Sequence, residues 1–182
     1  MDNILKWREI AISMYPPPPD IPEYRKELLP DIEELLSEET LNTVRSLLPE
    51  EYNPVFCHGD FNNDNILYKP GSDQGLIDFE YAGFSYDAFD MANMINETHF
   101  DNCEPEWPYY RFMESWKLDD EGIAKWVKAY GKDVDFFVEV KVFICLTNIY
   151  WGMWALTMVQ SWEKNNEYDH MSYGPQRLAI WK

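Results

Sequence analysis

Apolar residues recur every three to four positions near the start of the chain. Ile4, Leu5, Trp7, Ile10 and Ala11 fall on one side of a helix predicted from Asp2 to about Met14. Tyr15 and the run Pro16-Pro17-Pro18-Pro19 end it and form a short polyproline connector. The segment Tyr24–Leu48 is charged and helical, with Pro30 in a first turn and Ser37 with Thr40 marking a second start. The pattern then changes. Pro54 precedes the short apolar run Val55-Phe56-Cys57, which reads as a strand. Ile66-Leu67-Tyr68 and Leu76-Ile77-Asp78-Phe79 flank Lys69-Pro70-Gly71-Ser72-Asp73 as a hairpin. Helical patterns return from Asp87 to Glu97, over 109–116, 119–130 and 134–163, and from Pro175 to Trp181. The expectation is an α+β chain, mostly helical, with a small central β-hairpin and no internal repeats.

Composition narrows the function classes. The chain has 182 residues and a net charge of −18, which disfavours nucleic acid because phosphates are repelled. The same charge suits a cationic ligand or simply a well-solvated surface. Cys57, Cys103 and Cys145 are odd in number and widely spaced, as expected of free thiols in a reducing, cytoplasmic setting. Met1-Asp2-Asn3 lacks the basic, then apolar, opening of a signal peptide. VFICLTNIYWGMWALTMV, residues 142–159, approaches the length of a membrane span. Glu139, Lys141 and Asn148 lie within or beside it, so a buried core helix is expected instead.

Candidate chemistry centres on FCHGDFNNDNIL, residues 56–67. His58-x-Asp60-x-x-x-x-Asn65 has the catalytic-loop spacing of protein-kinase-like phosphotransferases. In such a loop the Asp accepts the proton of an attacking hydroxyl, and the Asn five residues on offers its carbonyl oxygen to Mg²⁺. Asp78-Phe79-Glu80 stands where a protein kinase has Asp-Phe-Gly. A turn centred on Gly71-Ser72 would set Tyr68 opposite Gly75 and Asn65 opposite Asp78, converging two oxygen ligands as a hard dication requires. Asp and Asn also serve ordinary turns, so the hairpin and Asp78 add the weight that the loop alone lacks.

On these residues the chain resembles the choline/ethanolamine kinase family. The matching segments are VFCHGD, Asn65-Ile66-Leu67, LIDFEYAGFSYDAFDMANMINET (76–98) and WGMWALTMVQ (151–160). The resemblance implies a protein-kinase-like C-terminal lobe over 55–182, preceded by a helical, Pro-interrupted inter-lobe segment over 1–54. It implies ATP and Mg²⁺ as cofactors and phosphorylation of choline or ethanolamine, the first step of the CDP-choline phospholipid pathway. No nucleic acid and no membrane span are expected, and the family allows a homodimer in the full-length form. Carried over residue by residue, Asp60 is the base and His58 orients its loop. Asn65 and Asp78 hold Mg²⁺, and Asp90 braces the loop from the next helix. Asn62, Glu80, Tyr81, Glu97, Trp151, Trp154 and Tyr173 belong to the substrate side, with Tyr81, Glu97, Trp151, Trp154 and Tyr173 around the ammonium group. Two positions depart from the family: Gly59 where Asn is usual, and Asn102 where an aromatic is frequent.

The cage has its own physical basis. Trp151 and Trp154 are i and i+3 on a helix and share a face. Ring faces attract quaternary ammonium by about 0.5–2 kcal/mol each, so choline is expected over ethanolamine. Paired Trp at this spacing also suits plain core packing.

The chain contains no G-x-G-x-x-G and no G-x-x-x-x-G-K-[ST]. It therefore reads as one lobe of a kinase without the nucleotide lobe, and inactive by itself. An aminoglycoside-type or other small-molecule phosphotransferase, or a cation-binding lobe without turnover, are the alternatives.

Overall fold

The computed structural model describes residues 2–15, 17–159, 162 and 168–181. Helix α1 (Asp2–Ser13) buries Ile4, Trp7 and Ala11, while Ile10 stays exposed. The charged stretch after it is three helices: α2 (Glu23–Lys26), α3 (Leu29–Leu35) and α4 (Glu38–Leu47). Pro30 sits in the first turn of α3, where its missing N–H has no intrahelical partner to lose. Ser37 caps α4, its side chain accepting from the Thr40 amide at 3.1 Å.

Strand β1 (Val55–Cys57) pairs antiparallel with β4 (Gly83–Ser85), with Phe56 opposite Phe84. The hairpin strands β2 (Ile66–Leu67) and β3 (Gly75–Leu76) are shorter than expected. Helix α5 (Ala88–Glu97) follows, then the short strands β5 (Phe100–Asp101) and β6 (Arg111–Phe112). The remaining helices are α6 (Asp120–Ala129), α7 (Val134–Thr157) and α8 (His170–Trp181).

The helix expected over 109–116 is absent. Tyr109 takes left-handed backbone (φ 66°), which a helix cannot include, and β6 and a 3₁₀ turn at Glu114–Trp116 stand there instead. The Met113 amide donates to the His99 carbonyl at 2.7 Å, so this stretch finds its partner far along the chain. Helix α7 stops at Thr157 rather than running to 163, and α8 starts five residues before Pro175. Pro16, Gln160 and residues 161 and 163 lie outside the described residues.

The chain clusters into two compact units. One comprises Met1–Pro49, Asn102–Arg111 and Asn148–Lys182; the other comprises Glu50–Asp101 and Phe112–Thr147. The first has a core of Leu35, Leu41, Val44, Ile149, Met153 and Leu178. The second buries Ala92 and Ile95 of α5, Ile123 and Val127 of α6, and Val140 and Phe143 of α7. Buried Asn96 ties α5 to the following core helix, its amide nitrogen donating to the Ile144 carbonyl and the Thr147 hydroxyl, both at 2.7 Å. By length and composition α7 could cross a membrane, but 61% of its apolar window is buried within the protein, as in a core helix.

Candidate active site

The loop after β1 is held from two directions. From α5, one Asp90 carboxylate oxygen accepts the His58 amide at 2.6 Å and the other accepts the Gly59 amide at 2.9 Å. One turn further along the same helix face, the buried Asn93 side chain donates to the Phe61 carbonyl at 3.1 Å. From the hairpin, the Ile77 carbonyl accepts from His58 Nε2 at 2.8 Å, which places a proton on Nε2. His58 is buried and packs on Phe79, ring centroids 4.6 Å apart. Its side chain links the loop to the hairpin through this hydrogen bond and ring contact.

Asp60 sits at the tip of this loop between two amides. Asn62 Nδ2 donates to Asp60 Oδ1 at 3.0 Å, and Asn65 Nδ2 donates to Asp60 Oδ2 at 3.2 Å and to its carbonyl at 2.9 Å. Asn62 also caps the 3₁₀ turn Asn63–Asn65, its Oδ1 accepting from the Asp64 and Asn65 amides. Burial pushes the Asp60 carboxyl above the ordinary Asp range. The amide hydrogen bonds and His58 pull it down, and the Asp78 charge pushes it up again, leaving a net rise.

The hairpin register differs by one residue from the expected one. Ile66 faces Leu76 and Leu67 faces Gly75, and the Ile77 amide donates to the Asn65 carbonyl at 3.1 Å. The tight turn falls one position earlier than expected, and one extra residue on the β3 side brings the pairing to the observed register. The Ser72 amide returns to the Lys69 carbonyl at 3.1 Å, with Pro70 and Gly71 at the centre and Gly71 at φ 77°. Pro then left-handed Gly is the arrangement of a type II turn. Asn65 therefore faces Ile77, and Asp78 comes one residue past the ladder with a left-handed backbone (φ 65°). A left-handed Asp at the end of a strand is uncommon and marks a constrained position.

Three comparisons bear on this arrangement. A sequence profile described as choline/ethanolamine kinase matches residues 20–182. The chain belongs to the choline/ethanolamine kinase family. Probable ethanolamine kinase A of Dictyostelium discoideum is 28% identical over 182 residues, covering 97% of this chain and 50% of its own length. Ethanolamine kinase 1 of Mus musculus is 30% identical over 153 residues, covering 79% of this chain and 42% of its own. Among solved structures, an ethanolamine kinase of Plasmodium vivax aligns with a TM-score of 0.72 at 24% identity, over 98% of this chain and 48% of that one. A choline kinase of Cryptosporidium parvum aligns at 0.65 and 22% identity, over 99% and 54%. These show a kinase-like fold. The chain spans about half the length of these family members.

The family's metal chemistry can be checked against the side chains present. Among the described residues no three His, Cys, Asp or Glu side chains cluster as a self-sufficient cage. Mg²⁺ does not need one, because it is commonly held by one or two protein oxygens together with substrate phosphates and water. Asn65 suits this role: its Nδ2 is committed to Asp60, which turns the amide into a fixed group with Oδ1 as its remaining acceptor. Asp78 is exposed at the end of the hairpin.

The residues expected around the ammonium group are divided between the units. In the first, Trp151 is buried against Trp7 and Tyr150, and Trp154 meets it edge-on at 5.3 Å while staying partly exposed. Tyr173 packs on Tyr110 and Tyr168, and the buried Arg177 places its guanidinium 4.7 Å from the Tyr173 ring centre. One face of that ring already receives a cation. In the second unit, Tyr81 and Glu97 are half-buried and Glu80 is exposed.

One anchor of the loop was not singled out from sequence. Asn93 had a signal, since it follows Asp90 by three residues on the same helix. His170 lies 5.5 Å from Trp154 and 4.9 Å from Tyr168.

Proposed function

We propose that this chain carries the catalytic base, metal ligands and substrate-facing aromatics of a kinase that transfers the γ-phosphoryl group of ATP to the hydroxyl of choline or ethanolamine. The products are phosphocholine or phosphoethanolamine, at the entry to phospholipid synthesis. The observation that carries this reading is the seat of Asp60: a partly buried carboxylate, gripped by Asn62 and Asn65, on a loop pinned through Asp90 and Asn93.

Asp60 accepts the hydroxyl proton as the substrate oxygen bonds to phosphorus and the bond to ADP breaks. Its raised affinity for a proton makes it a better base than an ordinary Asp, provided it is ionised at working pH. Asn65 Oδ1 and Asp78 would hold Mg²⁺, which would supply charge neutralisation at the phosphates when bound. His58 and Asp90 keep the loop in place and do not meet the substrate. Trp154, the partly exposed member of its pair, offers a ring face to the ammonium group.

The test uses a longer protein containing this chain. Asp60→Asn is expected to lower kcat by about 10²–10⁴-fold, the usual worth of a general base, with choline affinity little changed. Near-normal turnover would remove Asp60 from this role. Phosphorylation of an aminoglycoside in preference to both amino alcohols would replace the substrate assignment.

A further inference from the structure

Arg25, on the short helix α2, is 2% exposed. A charge buried this deeply requires partners. Its Nη1 donates to both carboxylate oxygens of Asp169 at 2.8 Å, and its Nε donates to the Trp162 carbonyl at 3.2 Å. Asp169 is buried as well and immediately precedes α8. Its amide donates to the Pro108 carbonyl at 3.1 Å. The hydrogen bonds continue from its carboxylate. Ser172 Oγ donates to Asp169 Oδ2 at 2.8 Å, so the Tyr110 hydroxyl, 2.7 Å from Ser172 Oγ, is the donor of that second bond. Burial pushes the Tyr110 hydroxyl up to about 12, and it keeps its proton.

Tyr110 in turn sits among rings. It stacks on Tyr168 at 5.1 Å and meets Tyr173 edge-on at 5.2 Å. From Tyr168 the rings continue through His170 at 4.9 Å to Trp154 at 5.5 Å. We propose that Arg25, Asp169, Ser172 and Tyr110 are positioning residues that set the angles of the Tyr173 and Tyr168 rings, and so tune affinity for the ammonium group. This rests on the proposed head-group role of Tyr173 and Trp154. The pull of a ring on a cation depends on presenting its face, so a tether that fixes ring orientation acts on binding without meeting the ligand. Asp169 is not itself the counter-ion, because both of its oxygens are held by Arg25.

Tyr110→Phe and Ser172→Ala cut the hydrogen-bond chain and leave the ion pair intact, whereas Ser172→Thr keeps a hydroxyl. In a longer protein containing this chain, the first two are expected to raise KM for choline by roughly three- to tenfold, within the worth of one ring face, with kcat within about twofold. Ser172→Thr is expected to restore KM. A purely structural role would instead lower kcat and melting temperature together, without that rescue. The double variant Arg25→Met/Asp169→Leu removes both charges, a change that buried pairs commonly tolerate, and is expected to raise KM in the same way. Wild-type KM in it would remove the ion pair from the role. In the 182-residue chain, Ser172→Ala is expected to shift the ring proton resonances of Tyr168 and Tyr173, and Ser172→Thr to return them. Unchanged shifts, or unchanged KM in Tyr110→Phe and Ser172→Ala while Tyr173→Leu weakens choline, would overturn the proposal. Unchanged choline affinity in Tyr173→Leu would instead remove the head-group reading of that ring, and the ring shifts would still decide whether the network positions it.

Discussion

Asp60 shows how opposing contacts place one titration. Burial raises its affinity for a proton first, Asn62 and Asn65 lower it, and Asp78 raises it. Removing one contact at a time has a definite sign. Asn65→Ala deletes a hydrogen bond to the charged form, so the Asp60 carboxyl is expected to titrate at still higher pH. Asp78→Asn deletes a like charge, so titration is expected to fall back toward the ordinary Asp range. A ¹³C-carboxyl NMR titration of the chain reads both shifts, and movement in the same direction would contradict the assignment of causes. The sign for stability follows. A carboxyl whose folded-state affinity for protons is raised stabilises the fold below its unfolded pKa, and that contribution fades as pH rises through the folded one. Ionised Asp60 thus opposes folding at neutral pH, a cost commonly met at functional positions. Much of this residue-scale picture was legible in the sequence, because His58, Asp60 and Asn65 lie within eight positions and the loop links them locally. The Arg25–Asp169 pair was not, since it joins residues 144 apart that nothing local in the sequence marks. Arg177 on the Tyr173 ring escaped notice for a similar reason: helical spacing allows the contact without demanding it.

At the scale of elements, α5 is the part that makes the loop rigid. Asp90 and Asn93 present three hydrogen-bond atoms to residues 58–61 from one helix face, while Ala92 and Ile95 are fully buried. Polar clamp and apolar core therefore share one helix. Asp90→Ala leaves two buried loop amides without that carboxylate. Leaving such groups unpaired costs about 1–3 kcal/mol each. Asn93→Ala is expected to cost less, having one neutral bond to the loop. Because both act on the same short loop, the double variant is expected to lose less than the sum of the singles, read by urea unfolding of the chain. Additive losses would mean that the two side chains brace independent segments. The hairpin shows where sequence reading stops. Its existence follows from two apolar runs around Pro70-Gly71, but its register depends both on where the turn falls and on the extra residue before β3. A shift of one position moved Asp78 off the ladder, out of the pairing with Asn65 that the sequence suggested. The failed helix over 109–116 has a related cause. Its apolar spacing is compatible with a helix, yet the left-handed Tyr109 and the distant His99 carbonyl decide the backbone there.

At the scale of the molecule, charge and content set a limit on what these 182 residues do unaided. The net charge of −18 makes the chain a poor landing surface for a polyanion such as ATP. Kinases of this kind overcome that with a phosphate-covering glycine loop and a Lys that reaches the phosphates. Neither G-x-G-x-x-G nor G-x-x-x-x-G-K-[ST] occurs in the sequence. The cationic side chains most deeply buried are already engaged, Arg25 with both oxygens of Asp169 at 2.8 Å and Arg177 with Asn148 and Tyr173. On the proposed reading these residues supply a base and metal ligands, without either glycine-loop motif in the given sequence. Positioning and electrostatic stabilisation supply most of phosphoryl-transfer catalysis, so a base and a metal ion alone give little of it. The purified chain, supplied with ATP, Mg²⁺ and choline or ethanolamine, is expected to form phosphocholine or phosphoethanolamine no faster than its Asp60→Asn variant, as followed by ³¹P NMR. A polypeptide bearing a glycine loop and phosphate Lys, added in trans or fused ahead of the chain, is expected to restore a rate that depends on Asp60. Robust turnover by the chain alone would show that its own residues hold the phosphates, and would send the search to the lysines exposed on its surface.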